Sequence, residues 1–379
     1  MGPLSGVTVI EIGGIGPSPF AAMLMADLGA KVIRIDKASA EHANPCEVTL
    51  RSRTHMAVNL KSPEGIAVVK QLLASADIIM EGFRPGVMEK LGLGPEECLL
   101  INPRIVYGRM TGWGQDGPMS QVAGHDINYV AVTGALEAIG RKEGGPVPPL
   151  NLLGDFAGGG SYLVMGMLAA LFSAHKTGEG QVVDASINDG IASLMNMILG
   201  YRAMGMWDEQ RQNNLFDGGA HYYDTYECSD GKWVSIGAIE LHFYETLVTA
   251  MGLEKEVGEM SYPAQFDKEL WVTLRPVFAK KFKEKTRDEW VEKLGFLDVC
   301  FAPVLSMEEA MAYPQNVARQ TFVEIDGVKQ AAPAPKFSKT PTSIKQGPKP
   351  AGSDNEAVLL GLGYTQEQID ELKSIGVLV

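Results

Sequence analysis

Cysteine is scarce and scattered in this chain. Cys46, Cys98, Cys228 and Cys300 stand far apart in 379 residues, with no CxxC pair. A disulfide framework or a thiolate zinc site is therefore not expected, whereas free thiols in a reducing compartment are. There are only six histidines, and no HExxH helix or His/Cys cluster, so no catalytic metal is expected. No GxSxG elbow is present either. Positive charge is also short. The 33 Lys and Arg face 46 Asp and Glu, a net charge of −13. That balance argues against nucleic acid or an anionic membrane as the main partner. An anionic small molecule would need a local basic pocket. In the sequence no apolar run reaches membrane-spanning length. A strand begins almost at once, so no signal peptide is expected. The closing Gly376-Val377-Leu378-Val379 is no peroxisomal address of the Ser-Lys-Leu kind. The expected location is cytoplasmic.

What is present is the balance of a folded protein, 45% hydrophobic and 21% charged. Its length predicts two or three domains rather than one core. Val7–Ile12 reads as a strand, Phe20–Leu28 as a helix stopped by Gly29, and Val32–Asp36 as the next strand. This βαβ unit predicts a parallel sheet. Helix-then-strand repeats at Ala67–Ala76 with Asp77–Met80, and at Pro95–Leu100 with Ile105–Arg109. Ser161–His175 reads as a helix, Gln181–Ala185 as a strand, and Ile187–Met206 as a long apolar helical stretch. Asp224–Cys228 and Lys232–Gly237 flank Ser229-Asp230-Gly231 as a hairpin. Short helices and a strand at Phe301–Leu305 follow, then a Pro- and Lys-rich stretch without periodicity at 331–353, and a last helix at Thr365–Ile375. The expected fold is α/β: an open parallel Rossmann-like sheet plus a smaller α+β domain. The expected boundaries are a large domain at 1–200, a linker at 201–224, a small domain at 225–325, and a return to the large domain at 326–379.

Several segments carry chemistry. Gly14-Ile15-Gly16-Pro17-Ser18-Pro19 after a strand is a partial dinucleotide signature. Pro19 replaces the third glycine and Pro17 removes a backbone donor, so a plain strand-to-helix turn is favoured. Lys37, Arg51, Arg53 and Arg84 lie just past strand ends or in loops, where open α/β sheets bind ligands. Arginine forks suit phosphate oxygens, and solvated surface charge is an equal reading of any one of them. Glu81-Gly82-Phe83-Arg84-Pro85-Gly86 puts an acid and an arginine on one shaped loop. His125 and Asp126, in Gly124-His125-Asp126-Ile127-Asn128-Tyr129, precede a lone acid in a glycine bed, Asn151-Leu152-Leu153-Gly154-Asp155-Phe156. Histidine is the one side chain that ordinarily titrates near neutrality. Two bases on separate turns can face one carbon from opposite sides. His42, His55, His175, His221 and His242 have no such context. Met195, Met197, Met204 and Met206 are core filler or a deformable surface for acyl tails.

Taken together, these segments, with Thr111-Gly112-Trp113-Gly114-Gln115 and Gly237-Ala238-Ile239-Glu240, resemble the class III CoA-transferase superfamily. The Gly124–Tyr129 segment with its histidine resembles the α-methylacyl-CoA racemase branch. The resemblance implies a large domain built from both chain ends, a small domain, and a homodimer of interlocked subunits. It implies epimerisation of 2-methylacyl-CoA thioesters by proton transfer at the α-carbon. Bases would be His125 and Asp155, with Glu240 as supporting carboxylate and Asp126 as a secondary site residue. CoA would be held by Lys37, Arg51, Glu81, Arg84 and Tyr129, and the acyl chain by Met195, Met197 and Met204. No separate cofactor is expected, since coenzyme A is part of the substrate. The α-proton leaves an enolate whose oxygen needs donors, and the Asp155 amide is a candidate. The alternative is a CoA-transferase with Asp155 as nucleophile. The chain departs from close relatives at Leu241-His242, often Pro-Gln, and at Lys37, often Arg.

Overall fold

The computed structural model describes residues 2–37 and 44–378; His42 lies outside the described residues. The chain divides into two compact units. The first comprises Met1–Thr133, Leu150–Leu194 and Ala318–Val379; the second comprises Gly134–Pro149 and Met195–Val317. Relative to the expected boundaries, 134–149 and 195–224 go with the second unit, and 318–325 goes with the first.

The first unit is built on a six-stranded sheet: β1 (Thr8–Ile12), β2 (Lys31–Asp36), β3 (Thr54–Ala57), β4 (Ile78–Glu81), β5 (Val106–Thr111) and β6 (Val182–Ser186). All neighbours pair parallel, in the order β3-β2-β1-β4-β5-β6. Parallel strands covered on both faces read as apolar runs, and Val9, Ile10, Ile12, Ile78, Ile79 and Met80 are all buried. The order reverses between β1 and β4. In an open sheet this switch point is where ligands bind, beyond the carboxyl ends of the strands.

After β1 the chain turns through Gly16, whose φ of 69° favours a residue without a Cβ. Helix α1 (Pro17–Asp27) then starts with proline at its first position, where the missing N–H has no helical role. The turn is clamped from beneath by buried charge. The Glu11 carboxylate accepts from Arg34 Nη1 at 2.5 Å and from Arg53 Nε at 2.6 Å. Arg34 also donates to the Gly14 carbonyl at 3.3 Å, and Arg53 to the Pro19 carbonyl. Both ends of the Gly/Pro turn thus hang on one carboxylate. The C-terminal segment completes this unit: the Asp354 carboxylate accepts from His55 N at 2.9 Å and Asn355 Oδ1 from Ala57 N at 3.0 Å. The expected extended stretch bears no helix or strand from 332 to 350. It is pinned to the sheet edge through Ser52 and Arg53, which pair with Lys345 and Gln346 at 2.7–2.9 Å.

Helix α2 (Asp126–Val132) follows β5. A glycine-rich π-helical turn at Leu153–Ser161 then runs directly into α3 (Tyr162–Thr177). Among the described residues, Leu150–Thr177 is one helical stretch of 28 residues with hydropathy 1.4, long and apolar enough to cross a membrane. This corrects the sequence reading that no run reaches that length. Much of its apolarity serves packing: Leu163, Met167, Leu171 and Ala174 are buried on the face that meets β5 and β6, a helical spacing. The apolar stretch expected over Ile187–Met206 is two helices, α4 (Ile187–Leu194) and α5 (Asn196–Ala203), and the division between units falls between them.

The second unit holds an antiparallel sheet, β7 (Tyr223–Glu227), β8 (Trp233–Gly237) and β9 (Phe301–Pro303). Its core is aromatic, with Tyr222, Tyr244, Phe278, Phe282 and Trp290 buried. The indole of Trp290 donates to the Phe282 carbonyl at 2.9 Å. His221, buried against Tyr244 Oη at 2.8 Å, is pushed down to about 3 by desolvation, with the Arg275 charge adding to the shift, and so stays neutral.

Candidate active site

The loops that leave β1, β4 and β5 at their carboxyl ends border one cavity of about 380 Å³. Ile15–Ser18 come from the first, Gly82–Pro85 from the second and Thr111–Trp113 from the third. His125, Tyr129 and Asp155 complete the wall. The two acid–base candidates therefore share one chamber at the switch point of the sheet.

His125 occupies the N-cap of α2, where its amide donates to Asn128 Oδ1 at 3.0 Å and its side chain stays exposed. Asp126, the next residue, turns inward and is only 9% exposed. Its carboxylate accepts the Asp155 amide at 2.6 Å and also the Gly154 amide. A Cβ at Gly154 would lie 2.2 Å from Asp126 Oδ2, so only glycine admits this carboxylate. Asp126 thereby fixes the turn that presents Asp155. The Asp155 amide, the expected oxyanion donor, is already taken by Asp126.

Burial holds the Asp155 carboxyl above the ordinary carboxylate range; the Asp126 charge adds to the rise. The Asn151 amide, 3.5 Å from Asp155 Oδ2, and the charge of His125 pull the other way. On the far side, Asp155 Oδ2 lies 3.3 Å from where a Cβ on Gly16 would stand. Tyr129 packs edge-on against Trp113, with centroids 4.7 Å apart, and donates to the Gly124 carbonyl at 2.5 Å. Burial and the Asp155 charge raise its phenol, and Arg84 lowers it.

The remaining candidates divide sharply. Arg84 is exposed and borders the cavity. Lys37 is exposed one residue beyond β2. Arg51 is buried instead: its guanidinium engages Asp27 at 2.5 Å, Gln330 Oε1 at 2.8 Å and the Ala331 carbonyl at 2.8 Å. It has no free fork for a phosphate in this conformation. Glu81 is fully buried and accepts from Phe83 N at 2.6 Å and Arg109 Nε at 3.0 Å; burial pushes it up to about 7. Its visible task is to shape the 82–85 loop from below. Met195, Met197, Met204 and Glu240 belong to the second unit, where Met197 and Met204 are more than half exposed. Glu240 is the exposed N-cap of the helix Leu241–Met251. Sequence reading gave no role to Asn151 or Ser18, which the fold brings to the site; neither polar residue type carries a signal by itself.

This chain belongs to CoA-transferase family III, whose profile matches residues 4–355. It is 41% identical to the α-methylacyl-CoA racemase of Mus musculus over 375 residues, covering 98% of this chain and 96% of that one. It is 39% identical to the Homo sapiens protein of the same name over 376 residues, with the same coverage. The succinyl-CoA:glutarate CoA-transferase of Homo sapiens is 28% identical over 399 residues, 99% of this chain and 90% of that one. The fold matches the crystal structure of a CAIB/BAIF family protein from Brucella suis with a TM-score of 0.81 and 22% identity, covering 95% of this chain and 99% of that one.

Proposed function

We propose that this chain is an isomerase that interconverts the (2R) and (2S) epimers of 2-methylacyl-CoA thioesters. The observation that carries the reading is that His125 and Asp155 line one cavity, in a chain similar to racemases over nearly its full length. One base removes the α-proton. The C–H electron pair forms the C=C bond of an enolate, and the carbonyl pair moves to oxygen. The other base then returns a proton to the opposite face. Each base supplies roughly 10²–10⁴-fold, so positioning and electrostatics must supply the rest. A carboxyl raised by burial is better matched to proton transfer near neutrality than an ordinary one. Asp126 orients Asp155 by accepting its amide. Arg84 and Lys37 offer charge to the CoA phosphates. The working form is a homodimer.

The test is deuterium wash-in. With a single-epimer 2-methylacyl-CoA in heavy water, the protein gives both epimers, each with deuterium at C2, with or without chelator. No exchange at C2 overturns the reading. A mass increment on the Asp155 peptide after hydroxylamine or borohydride trapping with acyl-CoA favours the transferase, in which Asp155 forms an anhydride.

A further inference from the structure

Between β5 and α2 the chain runs from 112 to 125 without helix or strand. Structureless loops of more than about 12–15 residues are uncommon unless they carry function. The end of this one, Val122, Ala123, Gly124 and His125, forms part of the cavity wall. Side chains hold its backbone there. The Trp113 indole donates to the Val122 carbonyl at 3.1 Å, and the Tyr129 phenol donates to the Gly124 carbonyl at 2.5 Å. These two carbonyls lie just ahead of His125 in the chain. The Gln121 side-chain amide donates to the Pro85 carbonyl at 3.1 Å, which ties the same stretch to the loop that bears Arg84.

The two rings brace each other. Their centroids are 4.7 Å apart at an interplanar angle of 83°, the edge-to-face arrangement that aromatic pairs favour. Two glycines make room for them. A Cβ on Gly112 would stand 2.0 Å from the Tyr129 ring, and one on Gly124 would stand 2.8 Å from Tyr129 and 3.1 Å from Trp113. On the other side, Asn128 completes the grip: its Oδ1 accepts the His125 amide at 3.0 Å, and its amide donates to the His125 carbonyl at 2.8 Å. The peptide groups on both sides of the His125 Cα are therefore anchored, and the exposed imidazole stands on a fixed base. The single O–H donor of Tyr129 is committed to Gly124, so none is left for CoA in this conformation.

We propose that Tyr129 and Trp113 are positioning residues for His125, holding the Gly124 and Val122 carbonyls so that the imidazole meets one face of the reacting carbon; this rests on the two-base reading above. A misplacement of about 1 Å can cost roughly 10²-fold in rate. Asp155 is fixed separately, through its amide on Asp126. Loosening the aromatic bracket therefore impairs one base and spares the other, and the damage falls on one epimer. Burial and the Asp155 charge hold the Tyr129 phenol above its ordinary value, so it stays neutral. Its replacement by phenylalanine removes a hydrogen bond without changing the charge of the site.

The test uses the full-length protein and 2-methyldecanoyl-CoA, with each epimer supplied singly in heavy water. Tyr129→Phe keeps the ring and loses the hydrogen bond. Trp113→Phe, the second variant, keeps an aromatic against Tyr129 and loses the indole donor. Tyr107→Phe is the control, because its hydroxyl makes the same kind of bond, to the Leu93 carbonyl at 2.9 Å, inside the core of the first unit. In Tyr129→Phe, deuterium wash-in falls roughly 10-fold for the epimer that His125→Ala loses, part of the cost of a misplaced base. Wash-in for the other epimer and KM for both are nearly unchanged. Trp113→Phe moves the ratio of the two epimers in the same sense. Tyr107→Phe lowers Tm and leaves the ratio where it was. An unmoved ratio in Tyr129→Phe overturns the proposal, as does a rise in KM shared equally by both epimers, which would make Tyr129 a wall of the CoA site. A shift toward the pattern of Asp155→Ala also overturns it. If the wild-type protein exchanges no α-proton, the two-base reading falls, and the imidazole NMR signal of His125, assigned by its loss in His125→Ala, judges the positioning instead. In the unliganded protein that signal moves in Tyr129→Phe and not in Tyr107→Phe; a signal at its wild-type position in Tyr129→Phe overturns the proposal.

Discussion

The two units differ in what stands out in their interiors beside ordinary apolar packing. The first places ion pairs inside: Glu11 with Arg34 and Arg53, Asp27 with Arg51, and Glu81 with Arg109, each with side chains no more than 8% exposed. The second packs rings: Phe278, Phe282, Trp290, Tyr222, Tyr226 and Tyr244 form its centre. Aromatic packing gives area and preferred geometry but aims nothing in particular. A buried ion pair is poor value as stabilisation, because desolvation offsets its attraction. In the first unit the Glu11 and Glu81 groups end on carbonyls and an amide of the loops at the sheet switch point, while Arg51 ends on Gln330 and the Ala331 carbonyl. Glu11 and Glu81 thus hold the walls of the cavity, whereas the second unit's aromatic core holds itself.

The largest effect separates chemistry from architecture. His125→Ala and Asp155→Ala each abolish net epimerisation, a loss of at least ~10²–10⁴-fold, with little change in Tm, because neither side chain supports a core. On the two-base proposal each variant retains α-proton exchange for one epimer. Per-epimer deuterium wash-in measures this. Full epimerisation by His125→Ala would remove His125 from the mechanism.

Breaking the charged interior comes next. Arg53→Met strips one of two partners from the buried Glu11 carboxylate and releases the Pro19 carbonyl. An uncompensated buried charge costs about 3–5 kcal/mol, and denaturant titration should read that loss. Activity falls further than stability alone explains, because the Gly/Pro turn loses its clamp. Trp290→Ala in the second unit costs about 3 kcal/mol, the low end for a buried Trp. The protein that remains folded keeps its exchange rate. If both variants lost activity only in proportion to unfolded protein, the division of labour between the interiors would fall.

That division also explains what the sequence made legible. The alternation of helix and strand announced the parallel sheet, and the His125 and Asp155 segments stood out because glycines flank rare chemistry. The fates of Arg51 and Glu81 were invisible, since the same letters describe a solvated fork and a buried clamp. Solvation is decided by distant residues such as Asp27 and Gln330. Strand β3 is four residues long and carries Thr54 and His55, too little pattern to separate from a loop. The break at Met195 and the assignment of 134–149 to the second unit depend on tertiary packing that no local period encodes. Ser18 read only as part of a turn.

The smallest effect sharpens the contrast within the site itself, where two neighbours push Asp155 in opposite directions. Asn151 donates to its carboxylate and favours the charged form, while the Asp126 charge opposes it. A base must be deprotonated to act, so the acid limb of kcat/KM reports its titration in the free enzyme. Because burial raises Asp155, that limb lies above the ordinary carboxylate range. Asn151→Ala removes a stabiliser of the charged form, so the limb moves to higher pH. Asp126→Asn removes a repelling charge but keeps an acceptor for the Asp155 amide, so the limb moves to lower pH. The two shifts have opposite sign at nearly unchanged stability, and pH–rate profiles of each epimer's exchange measure them. Shifts of the same sign, or a limb unmoved by either change, would show that a group other than Asp155 titrates there.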